Sequence, residues 1–497
     1  VRRVLVANRG EIACRIVRAC HEEQLEAIAV FSEADHQSPH VHAADRAVCI
    51  GPAPARESYL HIERLLDAAR RTGADAVHPG YGFLAERAAF ADAVEAAGLT
   101  FIGPPPAAIR AMGEKTEARR RMEAAGVPVV PGTTEPVASP ADGRAIAERI
   151  GYPILIKAVA GGGGKGMRRV AAAEELPAAF RAAVSEAQAA FGDGSVYIEK
   201  LIARPRHIEV QILADAHGHV IHLGERECSV QRRHQKLIEE APSTAVDAAL
   251  RRRMGEAAIR AAAAVGYRSA GTVEFLLDSG GAFYFLEMNT RIQVEHPVTE
   301  MIYGVDLVRE QLRIAAGHAT AIESARAPRG HAIECRITSE DPQGDFLPAT
   351  GRIDFLRIPA GPGVRWDGGI EMGNEIGVFY DPLLAKLIVW GESRPVAIRR
   401  MRRALDELLV VGVPTSQAFH RRVMDEPAFV QGDYDIEYLE RVGRELLAVG
   451  PDAALLERVA LAAALAEHDA RNAATALTPA PTGDSTWLRV ARQRGLR

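Results

Sequence analysis

Apolar runs and apolar residues at helical spacing take turns through the first hundred residues. "VLVANRGEIACRI" opens with the apolar run Val4–Val6 and turns at Asn8, Arg9 and Gly10. It continues with Ile12, Ile16 and Val17 on one helical face. "AIAVF" is a second apolar run, "GADAVHPGYGFLAE" repeats strand, glycine turn and helix, and "LTFIG" closes a further strand. Strands alternating with helices predict a parallel α/β sheet. Its first turn has one glycine where a dinucleotide-binding turn has three, which argues against a nicotinamide site. The pattern changes at "GEKTEARRRMEAAG". A proline-rich boundary, "VPVVPGTTEPVASP", leads to apolar strands around four consecutive glycines, Gly161, Gly162, Gly163 and Gly164, with Gly166 just beyond. The following "MRRV" reads as a strand and no Gly-Lys-Ser/Thr follows, so neither a dinucleotide fingerprint nor a P-loop fits. A glycine hairpin whose amides close over phosphates does fit, bracketed by Lys157 and Lys165.

The same reading finds a period of two in "EMNTRIQVEH". Glu287, Asn289, Arg291, Gln293 and Glu295 hold alternate positions, which predicts one face of one strand. If Gly280 and Gly281 form a two-residue turn, Glu274 of the preceding run falls opposite Glu287. Two carboxylates there, with Cβ atoms about 5 Å apart, repel. Either one is protonated, a cation pairs them, or a metal bridges them. With Asn289 they make an all-oxygen set that suits Mg²⁺ or Mn²⁺; an arginine-paired structural cluster is the alternative. Farther along, Arg291 can grip an anion with two donors and Glu295 can take a proton from it. That combination suits phosphoryl transfer onto a small acid.

Composition narrows the partners. A net charge of −5 gives no electrostatic case for nucleic acid or an anionic membrane, and no apolar run approaches the roughly 18–20 residues that span a bilayer. Five scattered cysteines without metal-type spacing argue for a reducing, cytoplasmic setting. Lysine and arginine total 60, of which only Lys115, Lys157, Lys165, Lys200, Lys236 and Lys386 are lysine. Five of those six sit in or beside the glycine-rich region, where a compact point charge serves better than a planar fork.

With these motifs in hand the chain resembles the biotin carboxylases over about residues 1–445. "VLVANRGEIACRI", "HPGYGFLAE", "GGGGKGM", "QRRHQK", "EMNTRIQVEHPVTE" and "HAIECRI" carry the resemblance. It implies a Rossmann-like N-terminal parallel-sheet domain (1–112), an ATP-grasp domain (113–320, lid about 130–203) and a C-terminal α+β domain (329–445), followed by a helical tail (446–497). The implied reaction is ATP-dependent carboxylation of biotin by bicarbonate through carboxyphosphate, the first half-reaction of an acyl-CoA carboxylase.

The resemblance also implies residue roles. Lys115, Lys157 and His207 hold ATP phosphates under a mobile lid of Gly161–Gly164 and Gly166. Glu199, Lys200 and Ile202 read adenine, Gln231 and His234 face ribose or phosphates, and Ile436 packs on the base. Glu274, Glu287 and Asn289 bind two Mg²⁺ or Mn²⁺. Lys236, Arg291, Gln293 and Val294 hold bicarbonate, which Glu295 deprotonates. Arg336 stabilises the biotin enolate and Tyr81 lies on the biotin side.

None of the six lysines has a biotin-attachment context such as Ala-Met-Lys-Met. Biotin is therefore expected as a carried substrate on a carboxyl carrier protein or domain. Further implied partners are a second copy of the chain, forming a homodimer within a larger complex, together with a carboxyltransferase subunit. Two other readings stay open: another ATP-grasp ligase, of the carbamoyl-phosphate-synthase or carboxylate–amine type, and a non-catalytic ATP-binding assembly subunit.

Overall fold

The alternation of the first hundred residues folds into one parallel sheet. Its strands are β1 (Arg3–Val6), β2 (Glu26–Phe31), β3 (Arg46–Cys49), β4 (Ala76–His78) and β5 (Thr100–Phe101), in the order β3-β2-β1-β4-β5. The computed structural model describes residues 1–159, 166–322, 327–448, 453–476 and 490. Ile12, Ile16 and Val17 of the helix Gly10–Glu22 are buried, as their spacing requires. Asn8 closes the first turn by donating its amide to the carbonyls of Pro79 and Tyr81, 2.7 Å each. A side chain at Gly80, where φ is +62°, would collide with that amide. This lock fixes Tyr81.

A second, smaller sheet holds β6 (Ile154–Ala158), β7 (Arg168–Val170) and β8 (Val196–Lys200), all antiparallel. It packs on the helices Pro140–Ile150 and Leu176–Phe191 with a core of its own, including Ile154, Ile156, Phe180 and Ile198. Gly161–Gly164 and Lys165 lie outside the described residues. Gly166 (φ +72°) accepts a hydrogen bond from the Ala158 amide at 3.1 Å.

The central sheet has eight antiparallel strands. Six are β9 (Arg206–Ala214), β10 (Val220–Arg232), β11 (Gln235–Ala241), β12 (Ser269–Leu277), β13 (Phe283–Asn289) and β14 (His331–Thr338). They run in the order β13-β12-β9-β10-β11-β14, continued by Leu383–Gly391 and Val364–Gly368. On β9 the two faces divide by parity. Ile208, Val210 and Ile212 pack on Met254, Ala257 and Ala261 of the helix Ala248–Ala263. His207, Glu209 and Gln211 point the other way and are nonetheless buried. Under that polar face lies the functional chemistry.

Residues Val1–Leu446 form one unit and Leu447–Arg497 another. In the second, the helix Ala453–Ala476 exposes Leu456, Val459, Leu461 and Leu465. Trp487 lies outside the described residues. Among the described residues no helix is long and apolar enough to cross a membrane, and all five cysteines are free thiols.

Candidate functional site

Two β-bulges set the site's geometry. In the β12–β13 hairpin, Leu277, Leu276 and Phe275 pair with Phe283, Tyr284 and Phe285, but the next pair is Glu274 with Glu287. Leu286 is the extra residue. The two-residue turn expected at Gly280 and Gly281 is not formed: the Asp278 amide donates to the Ala282 carbonyl at 2.9 Å, so Ser279 joins the two glycines in the loop. That longer loop alone would bring Leu286 opposite Glu274. The bulge restores the carboxylate pair. On β11 a register shift inserts Leu237 between the pairs Gln231–Lys236 and Val230–Ile238. It brings Lys236 onto the face that carries Glu239.

The single strand face expected from Glu287 to Glu295 ends at Asn289. Beyond it the Thr290 amide donates to Glu86 at 3.2 Å, and the helix His296–Tyr303 begins with Glu295 at its N-cap and Pro297 in its first turn. Arg291, Gln293 and Glu295 therefore reach the site by way of a turn rather than by strand alternation.

Buried charges interlock there. Lys236 Nζ donates to Glu209 (2.6 Å), Glu274 (2.8 Å) and Glu295 (2.7 Å). Arg336 donates from Nε to Glu239 (2.6 Å) and from Nη2 to Glu295 (2.9 Å). Glu295 is fully buried, yet Lys236, Arg336 and Arg226 outweigh burial and hold its carboxyl well below the usual range. Glu274 also accepts from Asn289 (2.9 Å) and Gln293 (3.0 Å), and lies 2.9 Å from His207 Nε2. Burial opposes a charge on His207, but Glu274 outweighs it and raises the imidazole pKa.

Glu287 differs from these. Among the described residues it has no cation at ion-pair distance, and desolvation within the cleft together with the Glu274 charge raises its pKa. The repulsion expected from the register is present, and an accessible, unpaired carboxylate beside a paired one fits a hard divalent cation held by oxygens.

These groups line a cleft of about 1270 Å³. Lys115, Lys157, Glu199, His207, Gln231, His234, Lys236, Glu274, Glu287, Asn289, Arg291, Gln293, Val294, Arg336, Tyr81 and Ile436 all border it. Glu295 sits beneath, behind Lys236 and Arg336. Lys200 and Ile202 are not among the lining residues: Lys200 Nζ donates to the carbonyls of Gly151 and Tyr152, 2.9 and 2.8 Å away. Glu199 is clasped by Arg119 and Lys157, 2.5 Å each. Arg291 donates to Glu86 (3.0 Å), Gln293 (2.8 Å) and Asn289 (3.1 Å). Val294 offers its carbonyl to Lys386 Nζ at 2.9 Å, so any part it plays toward an anion falls to its amide.

Several participants escaped the sequence reading, among them Glu86 on Arg291, Arg119 on Glu199 and Glu239 on Arg336. Glu209 and Arg226 form a fully buried pair behind Lys236. Glu209 was legible, because "HIEVQI" alternates polar and apolar as "EMNTRIQVEH" does. Lys386, fully buried, joins Val294 to Glu11, 3.2 Å away, and Glu11 accepts from the Tyr81 hydroxyl. Its signal was lysine scarcity: it is the one of the six outside the glycine-rich region.

Comparison with known proteins identifies the family. The profile "Biotin carboxylase, N-terminal domain" matches residues 1–109, "Carbamoyl-phosphate synthase L chain, ATP binding domain" matches 114–322, and "Biotin carboxylase C-terminal domain" matches 334–441. The chain is 54% identical over 443 residues to the biotin carboxylase of Nostoc sp., covering 89% of this chain and 99% of that protein. It is 53% identical to a pyruvate carboxylase component of Methanothermobacter thermautotrophicus, covering 89% and 90%. The biotin carboxylase domain dimer of Hydrogenobacter thermophilus 2-oxoglutarate carboxylase, solved with MgADP, ADP and bicarbonate, superposes with a TM-score of 0.86 at 46% identity, over 90% of this chain and 99% of that one.

Proposed function

The chain belongs to the biotin carboxylase family, and from that premise we propose how its cleft divides the work of ATP-dependent biotin carboxylation. One observation carries the division: Glu295 is buried beneath the cleft with one oxygen on Lys236 and the other on Arg336, beside the Glu274–Glu287 pair.

Lys115, Lys157 and His207 bind ATP phosphates, and the glycine-rich segment Gly161–Gly164 with Gly166 serves as the lid in this reading. Gln231 and His234 face the ribose or phosphates, and Glu199 and Ile436 flank the base. Lys200 and Ile202 contribute main chain. Glu274, Glu287 and Asn289 hold Mg²⁺ or Mn²⁺, two ions in our reading. Bound there, the metal neutralises charge on the transferring phosphoryl group. Lys236, Arg291, Gln293 and the Val294 amide receive bicarbonate.

A carboxylate stabilised as Glu295 is in the empty cleft is a weak base. As Lys236 turns toward the incoming anion, Glu295 loses a partner and its proton affinity rises. It can then take the bicarbonate proton as bicarbonate attacks the γ-phosphate. Carboxyphosphate gives CO₂ and phosphate, the phosphate takes the N1 proton of biotin, and Arg336 faces the enolate with Tyr81 alongside. The carried biotin, its carrier and the carboxyltransferase are separate partners in this reading, and a homodimer is the assembly. The acceptor is left broader than an acyl-CoA, since relatives are named for pyruvate and 2-oxoglutarate.

The test is ADP release by the purified chain with Mg²⁺ and bicarbonate, with and without free biotin. Biotin should stimulate it strongly. Arg336→Ala should abolish that stimulation and spare most biotin-independent ATP cleavage; an equal loss of both activities removes Arg336 from its role.

A further inference from the structure

β11 and β14 place Glu239 directly opposite Glu334. Both are fully buried. Glu239 Oε1 accepts from Arg336 at 2.6 Å, but its Oε2 and both oxygens of Glu334 have no hydrogen-bond partner. Two carboxylates opposed across a ladder, about 5 Å apart at Cβ, cannot both stay ionised in a dry interior without a cation each.

The charges facing them are few. Lys386 comes from the strand Leu383–Gly391, Arg336 lies two residues along β14, and Glu295 caps the helix His296–Tyr303. Lys236 lies three residues from Glu239 on β11. Lys386 is engaged by Val294, with Glu11 beside it, and Lys236 by three other carboxylates. Glu334 has no cation at ion-pair distance among the described residues.

We propose that the Glu239–Glu334 pair keeps one proton at neutral pH, which leaves Glu239 as its one ionised member, the carboxylate that together with Glu295 positions Arg336 toward biotin. Burial raises the Glu334 pKa well above the ordinary carboxylate value and brings Glu239 to about 7, with Arg336 pulling Glu239 back down. Neutral Glu334 is the proton holder. Ionised Glu239 holds the Nε and Nη2 side of the guanidinium, and Nη2 reaches on to Glu295. A second proton on the pair removes the Glu239 anchor and leaves Arg336 to Glu295 alone. The step that needs Arg336 should therefore weaken as pH falls through the neutral range, while ATP cleavage without biotin does not.

The positioning half rests on the role given to Arg336 above; the proton half does not, and two experiments separate them. The first is denaturant stability against pH for the wild type and Glu334→Gln. A buried acid that keeps its proton folded but loses it unfolded costs stability as pH rises above about 4.5. The wild type should fall progressively behind Glu334→Gln between about pH 5 and pH 8; parallel curves overturn the retained proton. The second is the pH profile of biotin-dependent ADP release. The wild type should show an acid limb near neutrality. Glu239→Gln should lose that limb and at least tenfold in biotin-dependent kcat, with the KM for ATP and the biotin-independent rate unchanged. Should Glu239→Gln fail to fold, Glu334→Gln reports instead, because its acid limb must move. An acid limb left at the wild-type position in whichever variant folds overturns the positioning role.

Discussion

At the scale of single residues the site is built from carboxylates whose environments differ. Glu295 is held ionised by two cations, Glu274 by Lys236 and His207, and Glu287 has no cation at ion-pair distance among the described residues. Glu295→Gln keeps the shape and removes the proton acceptor. It should cut bicarbonate-dependent ATP cleavage by at least about 10², measured as ADP release at saturating bicarbonate; near-normal turnover rules Glu295 out as the base. The sequence showed most of these residues, because polar groups at period two inside apolar runs are a strong signal. It showed less of what they touch. Lys200 was expected to help read adenine, yet its ammonium is committed to two carbonyls, and nothing in local sequence distinguishes a lysine turned inward from one turned away.

At the scale of elements, the Glu274–Glu287 pairing was legible, but its expected cause was not. The turn is one residue longer than expected, and a bulge at Leu286 compensates. Bulges have no dependable sequence signature because tertiary packing places them. The turn after Asn289 was hidden for a similar reason: Glu86, far away in sequence, receives the Thr290 amide. Lys386 shows what joins the elements. From the strand Leu383–Gly391 it holds the Val294 carbonyl beside Glu11. Lys386→Met should destabilise the fold by roughly 3 kcal/mol, as removal of a buried charge partner does. It should also raise the bicarbonate KM about tenfold, the loss expected of one charged hydrogen bond. Lys386→Arg should not rescue, since a planar fork does not replace a compact ammonium. Urea titration and bicarbonate saturation curves check both effects.

For the unit Val1–Leu446 as a whole, Glu240 is a tie. It is fully buried on β11, accepts from Arg394 of the helix Arg394–Glu407 at 2.7 and 3.0 Å, and pairs with His331 and Tyr434. Burial would raise its pKa, but Arg394 and His331 overcome that and bring it to about 2. A depressed carboxylate stabilises the fold fully above its unfolded pKa of about 4.5 and loses that contribution as pH falls toward 2. About 3 kcal/mol should disappear over that window. Glu240→Gln should be less stable at neutral pH and show a flatter acid decline, read from denaturant midpoints at each pH.

The cleft also shows how substrates must enter. Lys157 is already held by Glu199, Lys236 by three glutamates, Arg291 by Glu86, and Arg336 by Glu239 and Glu295. At these four groups an arriving anion does not meet bare charge; it takes the place of an anion the protein already supplies. Affinity is then an exchange free energy between two sets of oxygens, one covalently tethered and one free. Buried pairs are screened far less than exposed ones, so bicarbonate affinity should change little between low and physiological ionic strength. Stray inorganic anions, which gain no more from the exchange than they displace, should compete poorly.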